Sequence, residues 1–162
     1  AADMNAATAG VCVTCDAKKL GPGTSAALLF GRIAMSNASG SELLRLPVRM
    51  VAEYYNGSSW VQNVGDGCTS LVAPTLSGYT RNLNAGETTP TRWDPLRAGN
   101  AGLSFSPAGS GNHGSMTVTQ TVPAWLLFDW DGDGAFDNNP SARATFGTVG
   151  VGNPRIFMRE NY

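Results

Sequence analysis

Between Val48 and Tyr55 the side chains alternate in character, and the alternation stops at Asn56-Gly57. Val48, Met50, Ala52 and Tyr54 fall on one side, with Arg49, Val51, Glu53 and Tyr55 on the other, the period of two of a strand with one buried face. Asn-Gly directly after such a run is a strong hairpin signal, because the tight turn needs two residues at positive φ and these two reach it at least cost. Trp60 and Val61 then return as the next strand. No stretch sustains a helical apolar period for three turns, so this hairpin sets the fold class as all-β.

Further strands are predicted within Leu28–Ala38 and Leu43–Tyr55, and at Ser70–Leu76, Gly102–Ser106, Ser115–Val122, Leu126–Trp130, Ala142–Val149 and Arg155–Glu160, with Gly, Asn and Pro clusters between them. Thr117, Thr119 and Thr121 alternate with Val118, Gln120 and Val122, the pattern of an antiparallel strand with one face open. About eight short strands with regular turn signals predict an antiparallel β-sandwich with long Gly/Asn-rich loops, of which the immunoglobulin-like arrangement is one form. Gly78–Gly114 is polar and mostly without period, and is expected to supply long loops, one carrying Trp93. Hydrophobic residues make up 42% of the 162, enough to close one core at a length typical of a single domain.

Charged residues are only 14% and the pI is near 5.7, against about 25% charged in ordinary domains. Without a basic cluster there is no electrostatic footprint for nucleic acid. The longest apolar run, Ala26–Phe30, falls far short of the about 18 residues of a spanning helix. The chain opens Ala1-Ala2-Asp3 with no basic and apolar leader, so any signal peptide is expected to have been removed or to lie upstream. Two lysines beside nine arginines, with abundant small polar residues, suit a secreted β-protein.

Residues 1–25 have no periodicity and read as a lead-in or linker carrying Cys12-Val-Thr-Cys15, with a single domain over 26–162. The pair lacks the strand and helix that flank a redox motif, and Asp16 stands where haem attachment needs His. Zinc would need two more ligands, for which only Cys68 and His113 are candidates. The plain alternative is one disulfide from Cys68 to Cys12 or Cys15, with the third thiol free or bridging to another chain.

The densest chemical signal is Asp129-Trp-Asp131-Gly-Asp133-Gly-Ala135-Phe-Asp137, which holds four of the twelve acidic residues in nine positions. Such charges repel unless a cation neutralises them. Carboxylates at positions 1, 3, 5 and 9, Gly at 6 and the Ala135 carbonyl at 7 follow the first nine places of an EF-hand calcium loop. Pro140 stands where that loop needs its bidentate Glu and neither flank is helical, so an EF-hand fold is excluded while a Ca2+ loop is expected. Asn138 or a distant carboxylate such as Glu160 would complete the shell. The competing reading is a solvated acidic hairpin whose Asp side chains bond their own backbone.

Catalytic constellations are weak. His113 lies in a loop sequence with no Gly-x-Ser-x-Gly elbow, and Glu42, Glu53, Glu87 and Glu160 are scattered. Trp60, Trp93, Trp125 and Trp130 suit either a carbohydrate-stacking surface or core packing, with core packing favoured. The sequons at Asn37 and Asn56 matter only in a eukaryotic secretory pathway.

Several strings carry a resemblance: Phe30-Gly-Arg-Ile, Asn37-Ala-Ser-Gly-Ser-Glu-Leu-Leu, Ala52-Glu-Tyr-Tyr-Asn-Gly57, Gly67-Cys-Thr69, Asp129-Trp-Asp-Gly-Asp-Gly134, Asn139-Pro-Ser-Ala-Arg-Ala-Thr-Phe-Gly147 and Asn153-Pro-Arg-Ile-Phe-Met-Arg-Glu-Asn-Tyr162. From about Phe30 to Tyr162 the chain resembles the C-terminal domain of MshQ-like proteins, associated with biogenesis of the MSHA type IV pilus of Gram-negative bacteria. It departs from that pattern at Pro154 and Met158. The resemblance implies a non-enzymatic domain that is extracellular or at the cell surface.

The expected function is therefore a structural or adhesive module, pilus-associated or a subunit of a surface polymer. The alternative is a calcium-dependent carbohydrate-binding domain in which the Asp loop and Trp93 or Trp130 bind glycan, and a hydrolase comes third. Partners follow from these readings: self-association, pilus components or glycan, with no nucleic acid and no membrane span. The last segment alternates, with Ile156, Met158, Glu160 and Tyr162 on one face and Arg155, Phe157, Arg159 and Asn161 on the other. It is expected to be integral to a sheet and suited to adding to a neighbour's open edge.

Overall fold

The computed structural model describes residues 29–147. Ten strands follow one another: β1 (Gly31–Met35), β2 (Ala38–Gly40), β3 (Leu46–Pro47), β4 (Met50–Tyr55), β5 (Trp60–Gln62), β6 (Thr75–Ser77), β7 (Pro90–Arg92), β8 (Ser104–Phe105), β9 (Gly114–Thr119) and β10 (Ser141–Phe146). They form three sheets, ordered β1-β4-β5, β2-β10-β9-β6 and β3-β8-β7. Every pair is antiparallel except β2 with β10. The fold is a β-sandwich, as expected, and among the described residues the one helical turn is the 3-10 segment Ala124–Leu126. No helix there is long and apolar enough to cross a membrane.

The hairpin forms where its signal lies. Tyr55 pairs with Trp60 across a loop in which the Asn56 carboxamide oxygen accepts from the backbone N–H of both Ser58 and Ser59 (3.0 and 2.9 Å), and Gly57 takes φ +99°. One detail differs: Val51, placed by alternation on the open face, is buried together with its cross-strand partner Ala34. The segment Gly99–Ala101 runs along this half of β4, with Ala101 N–H donating to the Met50 carbonyl and Ala52 N–H to that of Gly99.

The two six-residue strands β9 and β10 carry the alternation through. Met116 and Val118 point inward opposite Ala144 and Ala142, while Ser115 and Thr117 point outward opposite Thr145 and Arg143. The inward set joins Ile33, Met50, Phe105 and Phe146 in the core. Burying a side chain of this size removes enough apolar surface for about 1.5–3 kcal/mol each.

Three segments depart from expectation. Of Ser70–Leu76 only the end becomes strand, because side chains take its backbone groups: Leu71 N–H donates to Asp94 Oδ1 (2.7 Å), and Gln120 Nε2 donates to the Val72 carbonyl (2.9 Å). Leu126–Trp130 forms no strand; it leaves the 3-10 turn and makes a single bridge, Phe128 with Asn138. The polar stretch Gly78–Gly114 contributes β7 as well as β8, and buries Leu83, Thr88 and Leu96. The expected strand Arg155–Glu160, with Phe157, Met158, Arg159 and Tyr162, lies outside the described residues, as do Cys12 and Cys15.

Candidate functional site

The acidic loop is pinched at its base, where Phe128 and Asn138 exchange two backbone hydrogen bonds of 3.2 Å. Within it, side chains replace a strand partner. Asp129 accepts from Gly132 N–H (2.6 Å) and Gly134 N–H (3.0 Å), and Asp133 from Ala135 N–H (2.8 Å). Gly132 and Gly134 sit at φ +81° and +91°, which a glycine reaches without steric cost. The resulting coil draws one carboxylate oxygen from each of Asp129, Asp131 and Asp133 to within 4.8 Å of one another.

This is the juxtaposition the spacing predicted, for three of the four aspartates. Asp137 is exposed and lies outside that group. Asn138 is engaged otherwise: its Nδ2 donates to Asp131 Oδ2 (3.3 Å) and its Oδ1 accepts from Trp130 N–H (3.1 Å). Glu160 lies outside the described residues. Three carboxylates this close repel in water, and a calcium ion, which takes six to eight oxygens at about 2.3–2.6 Å, is the hard cation whose radius and flexible shell suit them. The bonds inside the loop are equally those of Asx turns.

Against this loop stands an aromatic face assembled from three parts of the chain. Phe30 precedes β1, Tyr55 and Trp60 flank the hairpin loop, and Phe128, Trp130 and Phe136 belong to the acidic segment. Ring centroids are 5.5 Å apart for Phe30 and Trp60, 5.3 Å for Trp60 and Phe128, 5.0 Å for Phe128 and Trp130, and 5.6 Å for Phe30 and Phe136. These lie within the range of favourable tilted and edge-to-face pairs. The Arg32 guanidinium sits among them, 3.9 Å from the Trp60 ring centre, 4.9 Å from Phe128 and 5.0 Å from Trp130. Glu53 balances its charge, accepting from Arg32 Nε and Nη2 at 3.2 and 3.1 Å and from Arg49 at 3.3 Å.

Cation–π contacts and a two-pronged ion pair thus hold the rings from behind, while their outer surfaces meet solvent. Phe30 is 51% exposed, Phe136 54%, Tyr55 42% and Trp130 40%. Four large aromatics this open in one cluster make the kind of patch that marks a contact surface rather than scattered apolar exposure.

The remaining candidates are dispersed. Trp93 packs partly buried against the core, and Trp125, though 68% exposed, stands outside the ring cluster. Among the described residues no side-chain hydrogen bond engages His113. Of the described glutamates, Glu53 serves the two arginines and Glu87 accepts from Asn84 N–H at 2.7 Å. Cys68 is exposed, with its expected partners outside the described residues. Sequence reasoning missed Phe30, Arg32, Tyr55, Phe128 and Phe136 as site residues; the Tyr-Tyr before Asn56-Gly57 was the one local sign of an aromatic surface.

A family model described as DUF6701, fourth domain, matches residues 29–161. That span coincides with the resemblance to MshQ-like proteins, but the description mentions neither that family nor a pilus. No curated protein and no solved structure matches the chain.

Proposed function

We propose that this chain, which belongs to the family described as DUF6701, fourth domain, is a non-enzymatic extracellular adhesive module that holds carbohydrate on its aromatic face, with calcium ordering the adjoining loop. One observation carries the reading: Trp130 and Phe136, two of the exposed rings, are themselves residues of the loop that gathers Asp129, Asp131 and Asp133. Calcium held by these three carboxylates, with the Ala135 carbonyl as a further ligand, fixes the loop backbone and so the angle of both rings. A sugar ring then lays its C–H face on Trp130 or Phe136, and polar groups of the loop meet its hydroxyls. The role of the ion is structural.

Placement at the surface of a Gram-negative bacterium, with a pilus or as a polymer subunit, rests on the sequence resemblance and on the low-charge, small-polar composition. The alternative calcium-dependent lectin described from sequence becomes the contact chemistry of this adhesive reading, with Trp130 rather than Trp93 taken from the two tryptophans named there. A glycan array probed with the full chain in ~2 mM calcium tests it. Binding is expected to fall at least tenfold in EDTA and in Trp130→Ala, with Trp93→Ala serving as a folding control. Absence of any bound glycan overturns the carbohydrate reading, and filaments under electron microscopy of the glycan-free protein would make a polymer subunit the better one.

A further inference from the structure

The outward face of β9 and β10 shares no residue with the aromatic face. A cleft of about 370 Å³ is lined by Thr80, Arg81, Gly114, Ser115, Arg143 and Thr145. The strand register explains half of it: Ser115 stands directly opposite Thr145, and Arg143 follows two residues back on the same outward side of β10. The loop before Leu83 supplies the other half. Gly114 admits it, since a Cβ there would collide with the Thr80 carbonyl and come within 2.9 Å of Leu83 Cβ.

The loop is clamped on both sides of Arg81. Thr80 N–H donates to the Ser115 carbonyl (2.9 Å), Thr80 Oγ1 accepts from Ser115 N–H (3.0 Å), and Asn82 N–H donates to the His113 carbonyl (3.1 Å). Leu83 is then buried to 1%. Between these anchors Arg81 is held at φ +57°, a left-handed conformation that Gly or Asn adopts more cheaply than a long side chain. Arg81 is exposed, so packing does not account for an arginine at a strained position. Arg81 and Arg143 both line the cleft, whose lining among the described residues holds no carboxylate, and among those residues neither arginine makes an ion pair.

We infer that this cleft binds an oxyanion, with Arg81 and Arg143 as its charged donors and the Ser115 and Thr145 hydroxyls as neutral ones. Guanidinium groups match carboxylate, sulfate and phosphate oxygens through paired N–H donors, and hydroxyls beside them suit a group carried on a polar scaffold. The same chemistry is offered by a uronic acid and by a sulfate or phosphate ester. Another cleft, lined by Arg92 and Arg97, also contains Asp94 and so lacks this one-sided charge.

The test is a titration of the isotope-labelled full chain, at fixed ionic strength, with sodium glucuronate, sodium sulfate and sodium phosphate, against sodium chloride. Saturable amide shifts are expected at Thr80–Leu83, Gly114, Ser115 and Arg143–Thr145. Arg81→Asn and Arg143→Gln should each weaken binding at least tenfold, and Arg97→Ala should leave it unchanged. Arg81→Asn should also keep or raise the melting temperature, because Asn relieves the backbone, which separates lost binding from lost folding. Tighter binding of glucuronate assigns an acidic sugar, and tighter binding of sulfate or phosphate assigns an ester. Shifts that do not saturate, that spread over other arginines, or that survive in both variants overturn the inference.

Discussion

Ser115–Val122 and Leu126–Trp130 look alike as sequence, each a short run of apolar and polar residues between turn signals, yet they end in opposite ways. The first holds all but the opening residue of β9, paired on both sides by β10 and β6, with Met116 and Val118 fully buried. The second makes one bridge, and Asp129 near its end holds the Gly132 and Gly134 N–H groups of the acidic loop that follows. The difference lies in where the backbone N–H groups go. In β9 they go to other strands and, at Ser115, to Thr80 in a loop 35 residues away, so its order belongs to the whole domain. In the acidic loop they go to carboxylates two to five residues away, so its order is local and open to an ion.

That contrast can be attacked from the core first. Phe146→Ala, which removes a fully buried ring from β10, is expected to cost about 3–5 kcal/mol, measured by urea unfolding. β9 and the acidic loop should then lose protection together, since the domain unfolds as one. A loop that stayed protected while β9 opened would make it independent of the sandwich.

Calcium should sharpen the contrast from the other side. A dissociation constant of about 0.5 mM, within the range of extracellular modules, corresponds to about 1.8 kcal/mol at ~10 mM calcium, or about 4–7 °C in the melting temperature. Magnesium should do less, because it gives up its waters reluctantly. In Asp131→Asn with Asp133→Asn the shift should vanish while stability without calcium holds or improves. Equal melting temperatures of the unsubstituted protein in EDTA and in calcium would leave an acidic hairpin with no ion.

Asp129→Ala removes the acceptor of two loop N–H groups and is expected to cost about 1 kcal/mol without calcium. Faster hydrogen exchange should be confined to Gly132 and Gly134, leaving β9 untouched. Smallest of all, Trp130→Ala is expected to change stability by less than about 1 kcal/mol, because the residue is 40% exposed and a contact with Arg32 at an exposed site is worth only about 0.5–1 kcal/mol. Glycan binding should fall far more than stability does, and an unfolded Trp130→Ala would make the ring a core residue.

The same division governs what was legible beforehand. The hairpin at Asn56-Gly57, the alternation of β9 and the grouping of Asp129, Asp131 and Asp133 were all readable, because each is decided by residues within about ten positions of one another. Ser70–Leu76 was misread because its hydrogen bonds run to Asp94 and Gln120, the latter 48 residues away. The pairing of β2 with β10 spans a still longer separation: Arg143 N–H donates to Asn37, 106 residues earlier, and no local pattern encodes a parallel partner at that distance.

The amino-acid sequence by itself therefore determined the all-β class, the hairpin and the presence of an acidic loop with cation-binding spacing, since propensity, turn chemistry and carboxylate spacing act along the chain. Only the tertiary structure decided that Trp93 packs into the core while Trp130 opens outward, that Arg32 lies between rings from three segments, and that Arg81 and Arg143 border one cleft. Those placements follow from which apolar faces are buried against each other, and that depends on contacts among residues far apart in the chain.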